Sequence, residues 1–404
     1  MKISLRQLDG RSPGYWALVA VLAAISGIGL LAAWYMEHNG HHVTGMNNQI
    51  VWGLPHVFAV FLVVAASGAL NVASMASVFG KTAYKPLAPL SALLALALLT
   101  GGLAVLMLDL GRPDRLIVAM THYNFKSIFA WNVILYSGFM GLVVAYLWTM
   151  MERRMNPWSS YAGLAAFVWR LLLTTGTGSI FGFLIGRQAF GSALLAPMFI
   201  VYSLSYGLAI FLLVLLAVSR WTDRPLDAAM QARLTRLLAI FVATAAYFVL
   251  VYHMTNLYFA RQHGLERFLL LEGGVYTQLF WLGQLGLGSL LPLALLLAPR
   301  TRGSRSALVV AALAVIAGGL AQMYVTIIGS QAWPLPIFPG YEVSSSFADG
   351  VVGAYTPSLP EWLLGIGGMG MTGILVALAL KWLAFLPQRL DEFPPDTAGS
   401  ASAH

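Results

Sequence analysis

A few groups able to hold or move a proton stand out among long apolar runs in this sequence. His56 closes the motif Trp52-Gly53-Leu54-Pro55-His56. Pro55 sits where the first turn of a helix tolerates a residue without an N–H, and the freed backbone favours a polar pocket beside the imidazole. Asp109 opens the run Asp109-Leu110-Gly111-Arg112-Pro113-Asp114-Arg115, directly after an apolar segment from Leu87 to Leu108. Gly111 and Pro113 stop that helix. An acid at such a depth requires a partner or a task, and Arg112 and Arg115 are the nearby cations expected to neutralise it. His122, Tyr123, Ser127, Trp131 and Asn132 surround the start of the following apolar run.

An imidazole, a carboxylate and an amide at one depth supply what a quinone requires: carbonyl partners, a proton route and an apolar slot. In this reading His56 bonds the head group and exchanges its proton. Asp109 relays that proton, and Arg112 fixes the charge state of the acid. Tyr123, Ser127, Trp131 and Asn132 complete the lining. The structural alternatives are a His56 bonded to nearby backbone and an Asp109 neutralised as an ordinary helix-end charge.

Deeper in the chain, Arg170 lies inside an apolar run and is followed by Thr174, Thr175, Thr177 and Ser179. A cation there must face water or a partner, so it marks either a proton path or a bond to helix ends. Tyr252, His253 and Asn256 form a second polar spot that could belong to such a path. His56 and His253 could also ligate one haem b, but a matched second pair is missing, and haem is not the expected cofactor. His38, His41 and His42 resemble a metal site loosely, on a loop containing Gly40; solvated histidines are the expectation, with no metal. Gly365-Ile366-Gly367-Gly368-Met369-Gly370 imitates a dinucleotide fingerprint without a preceding strand, so close helix packing explains it better.

The elements that must position these groups follow from composition. The 404 residues are 59% hydrophobic and only 9% charged, with mean hydropathy +0.77. That excludes a soluble domain, for which about 25% charged residues is usual. The net charge of +8 is spread between apolar runs, so it does not signal nucleic-acid binding. With no cysteine, the chain holds no thiolate-ligated iron–sulfur cluster. A span of about 20 apolar residues recurs ten times, near 14–36, 51–79, 87–108, 127–149, 159–185, 196–219, 236–259, 275–298, 306–329 and 361–385. The fold expected is an all-α integral membrane protein, one transmembrane domain over 1–404. Lys and Arg concentrate at the N-terminus and in every second loop, which places both termini, with a polar tail at 387–404, in the cytoplasm. His56 and Asp109 then face outward. The loop from Ser330 to Pro360, rich in proline and aromatic residues, is expected to pack on the helices or on a partner.

Three runs carry a resemblance. Ala69-Leu70-Asn71-Val72-Ala73-Ser74-Met75-Ala76-Ser77-Val78-Phe79-Gly80-Lys81, Leu108-Asp109-Leu110-Gly111-Arg112-Pro113 and Phe125-Lys126-Ser127-Ile128-Phe129-Ala130-Trp131-Asn132 resemble the NrfD/PsrC family of quinone-linked membrane subunits. The ten-span layout looks like its HybB/DsrP branch. The resemblance implies two four-helix bundles, with menaquinone or ubiquinone held exchangeably near the outer face by the first. It also implies a periplasmic ferredoxin-like iron–sulfur subunit docked above, within a DsrMKJOP-like assembly of sulfur metabolism that has further membrane, cytochrome and cytoplasmic subunits. The place would be a bacterial inner membrane. His56 matches the histidine at the head of the first bundle helix, and Asp109 and Arg112 match the family's Asp-Leu-Gly-Arg run. The rival from another class is a secondary transporter, or a proton-conducting membrane protein without redox chemistry, using Arg170 and His253. Its interrupted helices are expected at the midplane, whereas Pro55 and Pro113 lie near the outer boundary.

Overall fold

The computed structural model describes residues 5–335 and 350–388. Among them are ten helices long and apolar enough to cross a membrane. They are α1 (Pro13–Asn39), α2 (Leu54–Ser77), α3 (Thr82–Leu108), α4 (Ile128–Met151), α5 (Arg153–Gly182), α6 (Leu195–Trp221), α7 (Ala228–Tyr258), α8 (Val275–Leu297), α9 (Arg305–Ala332) and α10 (Leu359–Trp382). Two short strands, β1 (Leu5–Arg6) and β2 (Leu386–Pro387), pair antiparallel and tie the two ends of the described chain together. The expected tail lies outside the described residues from 389 onward, as do Pro336, Phe338, Pro339 and Tyr341.

All ten expected spans correspond to helices. The largest difference in a boundary is at α7, which begins at Ala228 rather than near 236. Gln231 and Arg233 lie in that extra stretch, with Arg236 at its end. The hydropathy ruler stops at polar residues, but the helix continues, because Asp227 caps it by accepting from the Met230 N–H at 2.8 Å.

Burial is uneven. The most apolar stretch of α2 is 94% buried, against 22% for α1 and 17% for α4, so α2 is the central post and α1 and α4 are peripheral. Packing runs α2–α3, α3–α4, α4–α5 and α5–α2 around one ring, and α6–α7, α7–α8, α8–α9 and α9–α6 around another. The rings meet where α2 crosses α6 and α9. Close approach at the first crossing depends on glycine: a Cβ on Gly68 or Gly207 would collide with the opposing backbone. The outermost helix, α1, packs along α10. Tyr15 meets Ala377 at one end and Gly29 meets Gly367 nearer the other, so the two run antiparallel.

Three departures from regular helix matter for the site. The middle of α2 is interrupted at Leu70, and the turns widen to π-type over Leu279–Leu290 in α8 and Val325–Gly329 in α9. Such widened turns are frequent at functional positions.

Candidate functional site

The start of α2 is fixed before it carries any chemistry. Glu361, in the first turn of α10 and without solvent exposure, accepts from Gly45 N at 2.8 Å, Ser358 N at 2.7 Å and the Tyr355 hydroxyl at 2.6 Å. The same hydroxyl accepts from Leu54 N at 2.6 Å. Burial, then the adjoining Glu361 carboxylate, pushes the Tyr355 phenol well above its ordinary value, so it stays a neutral donor. Gln331 of α9 accepts from the backbone of Val51 and Trp52 and donates to the Trp52 carbonyl. Arg187, whose pKa burial lowers, bonds the Gln331 and Gln49 carbonyls. Gly53 must be glycine: a Cβ there would meet Glu361, Met46 and Tyr355.

From that anchored turn His56 reaches the end of α3. Its Nδ1 lies 2.7 Å from Asp109 Oδ2, and with the carboxylate ionised the imidazole N–H donates. Asp109 is 5% exposed, and its second oxygen, Oδ1, is buried without a partner. The carbonyl of Asp109 accepts from His41 Nε2 at 3.0 Å, so one of the loop histidines caps α3. His38 stacks on Trp34 with ring centroids 5.4 Å apart. Among the described residues no group of three metal-ligating side chains forms.

Arg112 does not reach Asp109. It donates to Asp114 at 3.0 and 2.9 Å in an exposed pair. That pairing raises the pKa of Arg112 and lowers that of Asp114. The expected role for Arg112, setting the charge of Asp109, therefore has no contact behind it; the acid's side-chain partner is His56.

Around the imidazole the surface is aromatic. Trp52, in the bend just before α2, stacks on His56 at 6.1 Å and 20°. Phe129 of α4 and Phe181 of α5 meet Trp52 edge-on at 6.1 and 5.8 Å, and Phe190 lies at 6.3 Å. Phe129 is 45% exposed, so this aromatic group continues to the lateral surface of the helices. Asn132 is buried and donates to the Ile128 and Gly176 carbonyls, which locks α4 to α5. Trp131 turns away: its indole donates to the Phe125 carbonyl and its ring packs on Phe125, which in turn meets Tyr123. Ser127 precedes α4, with its N–H bonded to Asn124 O. Of the expected lining, then, His56 and Asp109 meet directly, Asn132 braces the neighbouring helices, and Tyr123 and Trp131 form a separate cluster. Trp52 entered the sequence reading only within the motif that His56 closes, His41 only as a loose metal ligand and Phe129 only within a family run, while Glu361 was given no role. The one available signal for Glu361 was Ser358-x-x-Glu361, a capping pattern ahead of an apolar run.

Arg170 occupies a different level. It donates to Asn71 Oδ1 at 3.0 Å and to the Ser67 carbonyl at 3.4 Å, at the interruption of α2. Asn71 follows His56 by 15 positions, about 22 Å along a helix. His253 belongs to the other ring, where its Nδ1 lies 2.7 Å from Glu266 Oε2.

Comparison with known proteins places these features in context. The family described as Polysulphide reductase, NrfD, matches residues 42–334. The chain is 30% identical over 97% of its length to the Hdr-like menaquinol oxidoreductase integral membrane subunit of Archaeoglobus fulgidus, and it covers 99% of that protein. It is 28% identical to a protein of Halobacterium salinarum named as a dimethyl sulfoxide reductase membrane subunit, over 94% of this chain and 92% of that one. To the menaquinone reductase integral membrane subunit of Nitratidesulfovibrio vulgaris it is 21% identical, over 92% of each.

Proposed function

We propose, from the premise that this chain belongs to the NrfD family, that it is the quinone- or quinol-binding membrane subunit of a respiratory electron-transfer complex. One observation carries the reading: an imidazole and a carboxylate 2.7 Å apart, set at the rim beneath an aromatic edge that reaches the lateral surface. Relatives named as menaquinol and menaquinone oxidoreductase subunits favour a menaquinone-type partner molecule.

The residues fit such a head group. His56 is engaged through Nδ1, which leaves Nε2 to bond a carbonyl or hydroxyl oxygen. Asp109 Oδ1 is a buried acceptor with no partner, a costly arrangement unless something else occupies it. The quinol gives up two protons in turn and two electrons. Nε2 accepts the first proton while Nδ1 passes its own to Asp109. The second follows the same path once Asp109 has released its proton and the ring has recovered its Nδ1–H form, and the electrons leave to a partner subunit. Reduction of the quinone runs the same steps in reverse. Trp52 and Phe129 supply the apolar wall and exclude water from the transfer.

Electrons require a partner, because a chain without cysteine has no thiolates for iron–sulfur clusters. A ferredoxin-like subunit on the outer side is the reading that fits. The loop after α3 presents Ile117, Val118 and Phe125, 62%, 52% and 64% exposed, as an apolar surface for docking. The two rings of helices are read as four-helix bundles, with the first holding quinone. Both termini are placed in the cytoplasm and the chain in a bacterial inner membrane, within a sulfur-metabolism assembly. In this account Arg170 and His253 are groups on proposed proton routes rather than quinone contacts.

The test is binding of a quinone analogue by the purified chain, followed by quenching of tryptophan emission. His56→Ala is expected to weaken binding about tenfold, the loss of one charge-assisted bond. A surface change such as Leu313→Ala is expected to leave it intact. Equal affinity of the His56 variant and the parent would move the site elsewhere.

A further inference from the structure

The second ring holds an acid–base pair that makes no quinone contact; its histidine is the one that the reading above, on which this inference builds, sets on a proton route. Glu266, in the turn between α7 and α8, has no solvent exposure. His253 Nδ1 lies 2.7 Å from one carboxylate oxygen, and Asn256 donates to the other at 2.8 Å. Nδ1 being committed, Nε2 is the ring nitrogen left to the cavity that His253 lines. This cavity is about 30 Å³, walled also by Tyr252, Gln284, Thr326 and Ser330. Gln284 walls a second cavity of about 10 Å³ together with Ser205, Tyr206, Ser289 and Gln322. There the Gln322 carbonyl accepts from the Tyr206 hydroxyl at 2.6 Å, while its buried amide nitrogen has no partner. Both cavities lie against the π-type turns of α8 or α9.

Size decides what these spaces can hold. Small-molecule sites run to about 300 Å³ or more, so a quinone head group is excluded. One water requires roughly 10–15 Å³ and two or more polar partners, which both cavities offer. A buried amide nitrogen that lacks a partner is the kind of group a water satisfies.

We propose that His253 and Glu266 form a second proton-holding site, internal to the α6–α9 ring, hydrated through these cavities, which share Gln284 in their walls, and independent of the pair at the rim. A proton from cavity water binds His253 Nε2, and the Nδ1 proton passes to Glu266 Oε2; release reverses the two transfers. One proton is gained or lost and no electrons move. The facing titratable groups are Tyr202 from α6 and Tyr252 from α7, while α8 and α9 contribute Gln284, Thr326 and Ser330. Arg267, next to Glu266, is paired with Glu272.

Full-length protein labelled with ¹⁵N-histidine in lipid bilayers tests this by solid-state NMR, with the His253 signals assigned from His253→Gln. The expected result is exchange of the His253 ring N–H with water in the parent, slowed at least tenfold by Gln284→Leu and unchanged by His56→Gln. Should Gln284→Leu fail to fold, Thr326→Val on the same cavity wall carries the same expectation. Glu266→Gln is expected to shift the Nδ1 resonance. A ring N–H that does not exchange, or one whose exchange ignores both cavity variants, overturns the proposal. No quinone is present, so this outcome is separate from the fate of the rim site.

Discussion

The two histidine–carboxylate pairs share one bond length, 2.7 Å, and differ in nearly everything else. At the rim, Asp109 keeps one buried oxygen without a partner, and the imidazole lies under an aromatic group that continues to the helix surface. Within the second ring, Glu266 has both oxygens bonded, and its histidine lies against Phe280 and lines one small cavity that has polar groups in its wall. An unfinished set of hydrogen bonds beside an apolar edge is suited to an exchangeable ligand; a finished set beside space for water is suited to a proton alone. The bond itself does not define the function of either site. Its surroundings do.

This contrast predicts opposite responses to removing each acid. Glu266→Ala strands two buried donors, so thermal unfolding of the solubilised protein is expected to show a loss of about 3–5 kcal/mol. The fraction that remains folded is expected to bind quinone analogue as before. Asp109→Asn keeps shape and the backbone bond to His41, and its cost in the same unfolding experiment is expected to stay near 1 kcal/mol. Its affinity for the analogue, however, should fall about tenfold. Comparable stability losses in the two variants would erase the distinction.

A smaller effect separates the aromatic wall from the polar pair. Trp52→Leu keeps the position apolar and loses the stacking on His56, worth about 0.5–1.5 kcal/mol. A three- to tenfold weakening of analogue binding, read by titration, is expected. Least of all, Arg112→Ala is expected to change neither stability nor binding measurably, because its partner is the exposed Asp114. Since that pairing lowers the pKa of Asp114, any contribution it makes is complete above the ordinary carboxylate range and disappears as pH falls. A pH series on the variant and parent checks the sign.

Much of the rim site was legible because depth can be counted along a helix. His56 near the head of one apolar run and Asp109 at the foot of the next had to share a level once the runs were recognised as spans. Which charges pair was not legible. Arg112 and Asp109 are three residues apart, yet α3 ends at Leu108, and Arg112, off helical backbone, turns toward Asp114. Glu361, first residue of an expected span, and Glu266, between two spans, carry no mark of enclosure in the sequence, and only folding buries them. The described part of the loop after α9 does pack inward, with Gly353 N bonding Ala332 O at 2.7 Å and Trp333 against Phe268 at 5.4 Å. The widened turns of α8 and α9 left no readable trace beyond glycines at 283, 286 and 288.

The claim that the rim pair, and not its sealed counterpart, meets quinone is tested most directly by photolabelling. An azido-quinone irradiated with the purified chain should mark peptides containing Trp52 to His56 and Phe129, in proportion to occupancy and in competition with unlabelled quinone. Label confined to α6–α9, or label at the rim that unlabelled quinone fails to displace, would contradict it.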